Sequence, residues 1–173
     1  MGLNESFAYQ VLPLIPRLRR YARALTGDAA AADDLVQDTL ERALLKQALW
    51  REGSDLRAWL FTVMHNVFIN QVRSSAANRT VPLDEGLVQS QVAAARAGDR
   101  LDIRDLDAAL QALPEEQRSV VLLVGMEQLS YEAAAQALEI PVGTVMSRLS
   151  RGRERLRRLL QDEPPAPGLK GVR

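Results

Sequence analysis

Arg148, Arg151 and Arg155 recur at spacings of three and four near the end of the chain, with Thr144, Met146 and Ser147 just before them. Such spacing lines side chains along one flank of a helix. Guanidinium groups placed there can hold phosphates. They can also bond a guanine edge through two nitrogens, each such pair contributing about 1–3 kcal/mol of base discrimination, and Thr and Ser hydroxyls can meet either target. A basic helix on its own reads equally well as a solvated face. The preceding residues separate the two. Ser130–Leu138 reads as a short alanine-rich helix, Glu139-Ile140-Pro141 as a tight break, and Val142–Leu160 as a longer second helix. That is the order of a helix-turn-helix whose second helix enters a DNA groove. Ala135 stands at the helix crossing, and Leu138, Ile140, Val145 and Leu149 fill the core beneath the turn. Arg157 and Arg158 lie past the reading turns and suit phosphate or solvent.

A second group lies between Leu56 and Arg73. Trp59, Phe61, His65, Asn66, Phe68, Asn70 and Arg73 mix rings, amides and a base. Unstacked bases need rings to stack on and amides for their edges, although Trp59 and Phe68 taken singly suit a core. A third group, Asp33–Ala43, reads on its residues alone as an amphipathic helix with a solvated outer face. No catalytic set emerges. His65 is the only histidine, cysteine is absent, and no glycine-rich phosphate loop exists. No catalytic residue, metal, cofactor or small-molecule substrate is therefore expected.

The elements that must position these groups are helices. Of the 173 residues, 47% are hydrophobic and only 5% aromatic, and runs of β-branched residues are missing. Helices are expected over Phe7–Leu25, Asp28–Trp50 with Asp28 as cap, and Asp55–Arg73 with Ser54 as cap. Others are expected over Ile103–Leu113, from Pro114 to Met126, and through the helix-turn-helix. The expected fold is all-α: two small helical domains, 1–75 and 101–161, joined by a flexible linker, 76–100, and followed by a flexible tail, 162–173. Gln89–Arg96 reads as a possible helical turn inside the linker. The formal charge is +0, but the charge is segregated. Asp99–Glu139 carries nine acids and three bases, whereas Pro141–Leu160 carries six arginines and one acid. A local basic helix on a neutral chain marks a targeted phosphate-binding face. The amino terminus lacks the order of a secretory signal, no apolar run is long enough to span a bilayer, and cytoplasmic location is expected.

Taken in order, these segments resemble a sigma factor of bacterial RNA polymerase, of the small extracytoplasmic-function (group 4) class of the sigma-70 family. The resemblance runs from about Leu12 to Leu160. Asp34-Leu35-Val36-Gln37-Asp38-Thr39 is similar to region 2.2. Leu56-Arg57-Ala58-Trp59-Leu60, with Asn66 and Arg73, is similar to regions 2.3 and 2.4. Leu113-Pro114-Glu115-Glu116-Gln117-Arg118, Leu129-Ser130-Tyr131-Glu132, Pro141-Val142-Gly143-Thr144-Val145 and Ser147-Arg148-Leu149 follow the region 4 pattern. The resemblance implies promoter-specific initiation with promoter melting. Asp34, Gln37, Asp38, Glu41 and Arg42 would dock on the clamp coiled coil of the largest subunit of core RNA polymerase. Arg57, His65, Asn66, Asn70 and Arg73 would contact the −10 element. Thr144, Met146, Ser147, Arg148, Arg151 and Arg155 would contact the −35 element. It further implies control by a separate anti-sigma factor. Three positions depart from the family pattern: Met146 and Ser150, where basic or larger groups are usual, and Asn70, where Asp is usual. They imply an unusual −35 preference and a lost charge near the −10 element. Two rival readings are a dimeric helix-turn-helix regulator that acts without polymerase, and a sigma-like decoy that binds an anti-sigma protein.

Overall fold

Apolar residues at intervals of three and four give each helix one buried stripe. The computed structural model describes residues 3–78 and 99–161, and every regular element among them is helical, as expected. α1 (Leu3–Val11) passes through a 3-10 turn (Leu12–Leu14) into α2 (Ile15–Thr26). The single helix expected over Phe7–Leu25 is thus divided. Pro13 and Pro16 cannot donate to an unbroken ladder, and both sit in opening turns, where no donor is needed. Gly27 ends α2 in the left-handed region at φ 71°. The Asp28 carboxylate accepts the Ala31 N–H at 2.8 Å and caps α3 (Ala29–Leu45). α3 stops short of the expected Trp50, and a 3-10 turn (Gln47–Leu49) folds Trp50 inward.

α4 (Leu56–Asn78) is capped by Asp55 rather than Ser54. Asp55 Oδ1 accepts the Ala58 N–H at 3.1 Å, while the Ser54 hydroxyl donates to the Arg51 carbonyl at 2.6 Å. The carboxylate stands at the three-residue offset that capping requires. α4 continues through Asn78 and α5 (Asp99–Gln111) begins at Asp99, so helix occupies both margins of the expected linker. The turn expected over Gln89–Arg96 and the tail lie outside the described residues. Pro114, with ψ 140°, is the cap of α6 (Glu115–Val121) rather than its first residue. α6 widens into a π turn (Leu122–Met126) before α7 (Tyr131–Leu138) and α8 (Val142–Gln161).

Helices α1–α4 close over Leu18, Tyr21, Leu25, Leu35, Leu60, Phe61 and Met64. Tyr21 meets Phe61 edge-on at 5.0 Å, and Phe7 packs against Trp50 and Trp59. Helices α5–α8 close over Val120, Leu123, Ala134, Val145 and Leu149. The two halves also meet, α4 lying on α7 and α2 on α5 and α6. Arg118 binds this seam. Its guanidinium donates to the carbonyls of Leu110 (2.9 Å), Gln111 (3.1 Å) and Leu113 (2.9 Å), and across the seam to Leu25 (2.7 Å). Gln111 Nε2 donates to the Ala24 carbonyl at 2.8 Å. The orphan carbonyls that end α2 are thus capped from the other half of the chain.

Replacing Arg118 by Ala strands these carbonyls. We expect unfolding free energy to fall by about 3 kcal/mol, read by urea denaturation. Arg118→Lys should recover only part of it, because an ammonium lacks the planar fork.

Candidate nucleic-acid interface

The α7–α8 unit is built from short-range signals. The Ser130 hydroxyl accepts the Ala133 N–H at 3.1 Å and starts α7. Glu139 at φ 54° ends it, and the Ile140 N–H returns to the Ala135 carbonyl at 3.0 Å. A left-handed non-glycine residue is uncommon, and here it makes the tight break before Pro141. The Pro141 carbonyl then accepts the Thr144 and Val145 N–H groups and opens α8. Val145 and Leu149 are buried. Gly152 is pressed so closely on α6 that a Cβ there would lie 2.7 Å from Val121 Cγ2.

The outward side of α8 carries Met146 (53% exposed), Ser147, Ser150, Arg151 and Arg155. The structure divides the residues expected on this helix. Arg151 and Arg155 project from it and form no ion pair among the described residues. The Ser147 hydroxyl donates to the Thr144 carbonyl of its own helix at 3.1 Å. Thr144 is half-buried, and Arg148, also half-buried, turns toward α6 and pairs with Glu116 at 3.4 Å. Arg157 and Arg158 both pair with Glu154, at 2.8 and 3.1 Å.

The five residues expected to meet a single strand also separate. His65 and Arg73 line a cleft of about 290 Å³ with Glu115, Glu116, Ser119, Leu138 and Arg148, between α4 and the second half. Arg57 donates to the Glu127 carbonyl at 3.0 Å and lies 3.7 Å from Asp55. Asn66 is exposed. Asn70 sits elsewhere, in a cleft of about 690 Å³ with Asp38, Glu41, Arg42, Leu45 and Gln71. That cleft adjoins the third group. Asp34, Gln37, Asp38, Glu41 and Arg42 form one exposed stripe along α3, and Gln71 Nε2 donates to Asp38 at 2.7 Å. Leu45 and Leu49 extend the stripe with exposed apolar surface.

Sequence reasoning missed the residues that join the halves: Arg17, Arg20, Arg118 and Glu127. Glu127 is fully buried, with Arg20 Nη2 at 3.1 Å and Arg17 Nε at 3.7 Å. No local signal marks it, since the two arginines that meet its carboxylate lie more than a hundred residues earlier. Burial, and then the Glu127 charge, push the Tyr21 phenol above its ordinary range, so it stays neutral.

Two family models match the chain: the Sigma2 domain of PhyR over residues 11–65, and Sigma-70, region 4, over residues 103–156. The chain is 38% identical over 160 residues to an ECF RNA polymerase sigma factor, EcfG of Rhodopseudomonas palustris, spanning 92% of this chain and 88% of that one. It is 37% identical over 147 residues to the ECF RNA polymerase sigma factor SigL of Mycobacterium tuberculosis, spanning 84% and 83%. Among solved structures it resembles the sigma factor RpoE of Bartonella quintana, crystallised with the anti-sigma factor NepR. That match has a TM-score of 0.76 and 36% identity, over 92% of this chain and 99% of that one.

Burial lowers the His65 pKa; Glu139 opposes the shift and Arg148 adds to it. The folded imidazole therefore binds a proton less readily than the unfolded one, and stability should be lost as pH falls below about 6.5. Glu115, whose carboxyl burial shifts upward, acts in the opposite sense. Thermal melting across this range should show the loss, and His65→Gln should flatten it.

Proposed function

Because the chain belongs to the extracytoplasmic-function sigma factors of the sigma-70 family, we propose that its α3 stripe docks on core RNA polymerase while α4 and α8 contact the two promoter elements. The chain is an alternative sigma factor, and it directs polymerase to promoters rather than carrying out chemistry of its own. Residues 1–75 would form the unit for polymerase and the −10 element, and 101–161 the unit for the −35 element, with 76–100 between them and 162–173 as tail. Asp34, Gln37, Asp38, Glu41 and Arg42 would meet the clamp coiled coil of the largest subunit. Arg57, His65, Asn66 and Arg73 would hold the displaced strand of the −10 element, where capture of an unstacked base favours opening. Asn70 shares a cleft with the α3 stripe, which supports a role nearer polymerase than its expected −10 contact.

The observation that carries this reading is one chain bearing both an exposed polar stripe on α3 and a helix-turn-helix whose second helix exposes Arg151 and Arg155, neither ion-paired among the described residues. A regulator acting on duplex DNA alone leaves the stripe without a use. The Sigma2 match to PhyR favours one rival, a sigma-like decoy, but Arg151 and Arg155 then have no target. An anti-sigma factor is the proposed regulator, supported by the likeness to a sigma factor solved with one. The work proposed here belongs in the cytoplasm, with polymerase and chromosome.

Run-off transcription with purified core polymerase and genomic promoter fragments tests the reading. Specific initiation should depend on the chain; tight duplex binding without stimulation overturns the proposal. Arg151→Ala should lower −35-dependent initiation by about ten- to a hundredfold and leave core-polymerase affinity unchanged. An equal fall in core affinity contradicts the assignment.

A further inference from the structure

We propose that Met146 is a specificity-determining residue that reads the 5-methyl group of thymine, so that the leading turns of α8 select an A·T pair in the −35 element. The inference rests on the groove docking proposed above for α8 and names the base that the docked helix prefers.

Val145, Leu149 and Gly152 mark the buried side of α8. At 3.6 residues per turn, Gly143, Ser147 and Ser150 then form the ridge away from the core, and all three are exposed. Val142 and Met146 stand four residues apart on one flank of that ridge, 36% and 53% exposed. A lone exposed apolar side chain needs no explanation. Two in register, beside a ridge of small residues, make a shallow apolar face. Gly143 deepens it. Its φ is not left-handed, and a Cβ there would meet nothing within 4 Å. Neither the turn nor the packing of the chain calls for glycine, and the missing side chain leaves room for a group from outside.

The cations of the helix stand elsewhere. Arg148 lies on the opposite flank and pairs with Glu116 at 3.4 Å. Arg151 is the first exposed arginine of α8, more than a turn beyond Met146. The first two turns therefore bring no unpaired guanidinium to a groove, and a guanidinium is the group that selects guanine through O6 and N7. They bring a thioether instead. An unbranched, polarizable side chain moulds itself to small apolar groups, and the apolar group on a major-groove edge is the thymine methyl.

Ser147 narrows the choice in the same direction. Its hydroxyl donates to the Thr144 carbonyl at 3.1 Å, which leaves its lone pairs to accept. Adenine N6 and cytosine N4 are the donors that a groove offers, and of these two bases only adenine faces a partner carrying a methyl group. The two demands meet at an A·T pair. Arg151 and Arg155 remain to hold the DNA further along.

The test uses the full chain assembled with core polymerase. The probe is a genomic promoter fragment that supports run-off initiation, with each thymine of the −35 element replaced in turn by deoxyuracil. The replacement keeps base pairing and removes only the methyl group. At one position it should weaken wild-type binding about fourfold, the effect of leaving one apolar carbon in water. Met146→Ala should bind the thymine and deoxyuracil versions alike at that position. A −35 element without an A·T pair, a wild type indifferent to every replacement, or a Met146→Ala variant that keeps the fourfold difference overturns the proposal. Docking is judged apart from base choice. Arg151→Ala should weaken binding of both versions by the same factor, and if it weakens neither, the groove reading itself fails.

Discussion

A helix that ends inside a protein leaves carbonyls that must be answered, and the fold depends on how Arg118 answers four of them. Its fork serves the end of α5, the loop to α6 and the end of α2. Burial lowers its pKa, with Glu115 opposing, yet a guanidinium remains charged at any physiological pH. A charged donor is worth roughly twice a neutral one. One side chain therefore completes the second half and ties it to the first. Gly27 belongs to the same arrangement. It ends α2 in a left-handed turn, and its missing Cβ makes room for the Gln111 amide that caps Ala24.

The seam mixes two kinds of contact with different consequences. Hydrogen bonds from Arg118 and Gln111 satisfy backbone groups that would otherwise be costly to bury. The Glu127 cluster instead buries a charge whose partners reach water. The first kind gives cohesion. The second gives register, since a carboxylate sealed between Arg17 and Arg20 tolerates no sliding of α2 along the π turn. Neutral overall charge conceals this organisation, because one buried acid of the second half, Glu127, is placed opposite two bases of the first, Arg17 and Arg20.

Legibility in the sequence followed distance along the chain. The helix start at Asp28 and the break at Glu139 rest on contacts within a few residues, and both were readable. The cap of α4 was misplaced by one residue because Ser54 and Asp55 are both good caps, and only geometry decides between them. The helix expected over Phe7–Leu25 hid a break because its apolar spacing continues across Pro13 and Pro16. The stripe on α3 read as solvated surface, and on residues alone nothing distinguishes it from one. Glu127 counted merely as one acid among nine, since burial by a partner 107 residues away leaves no periodic trace. Arg148 looked equivalent to Arg151 in sequence, yet Glu116 and the cleft beside His65 draw it to a different side.

Gly152 sets the lean of α8 on α6, and that contact acts as a fulcrum. Ten residues separate it from the start of the helix, a lever arm of about 15 Å. A tilt of about ten degrees at the fulcrum would sweep the first turn by roughly 3 Å, close to the rise of one base pair along a duplex, about 3.4 Å. In the groove docking proposed for α8, the absence of that single methyl group would thereby select which step the leading turn meets.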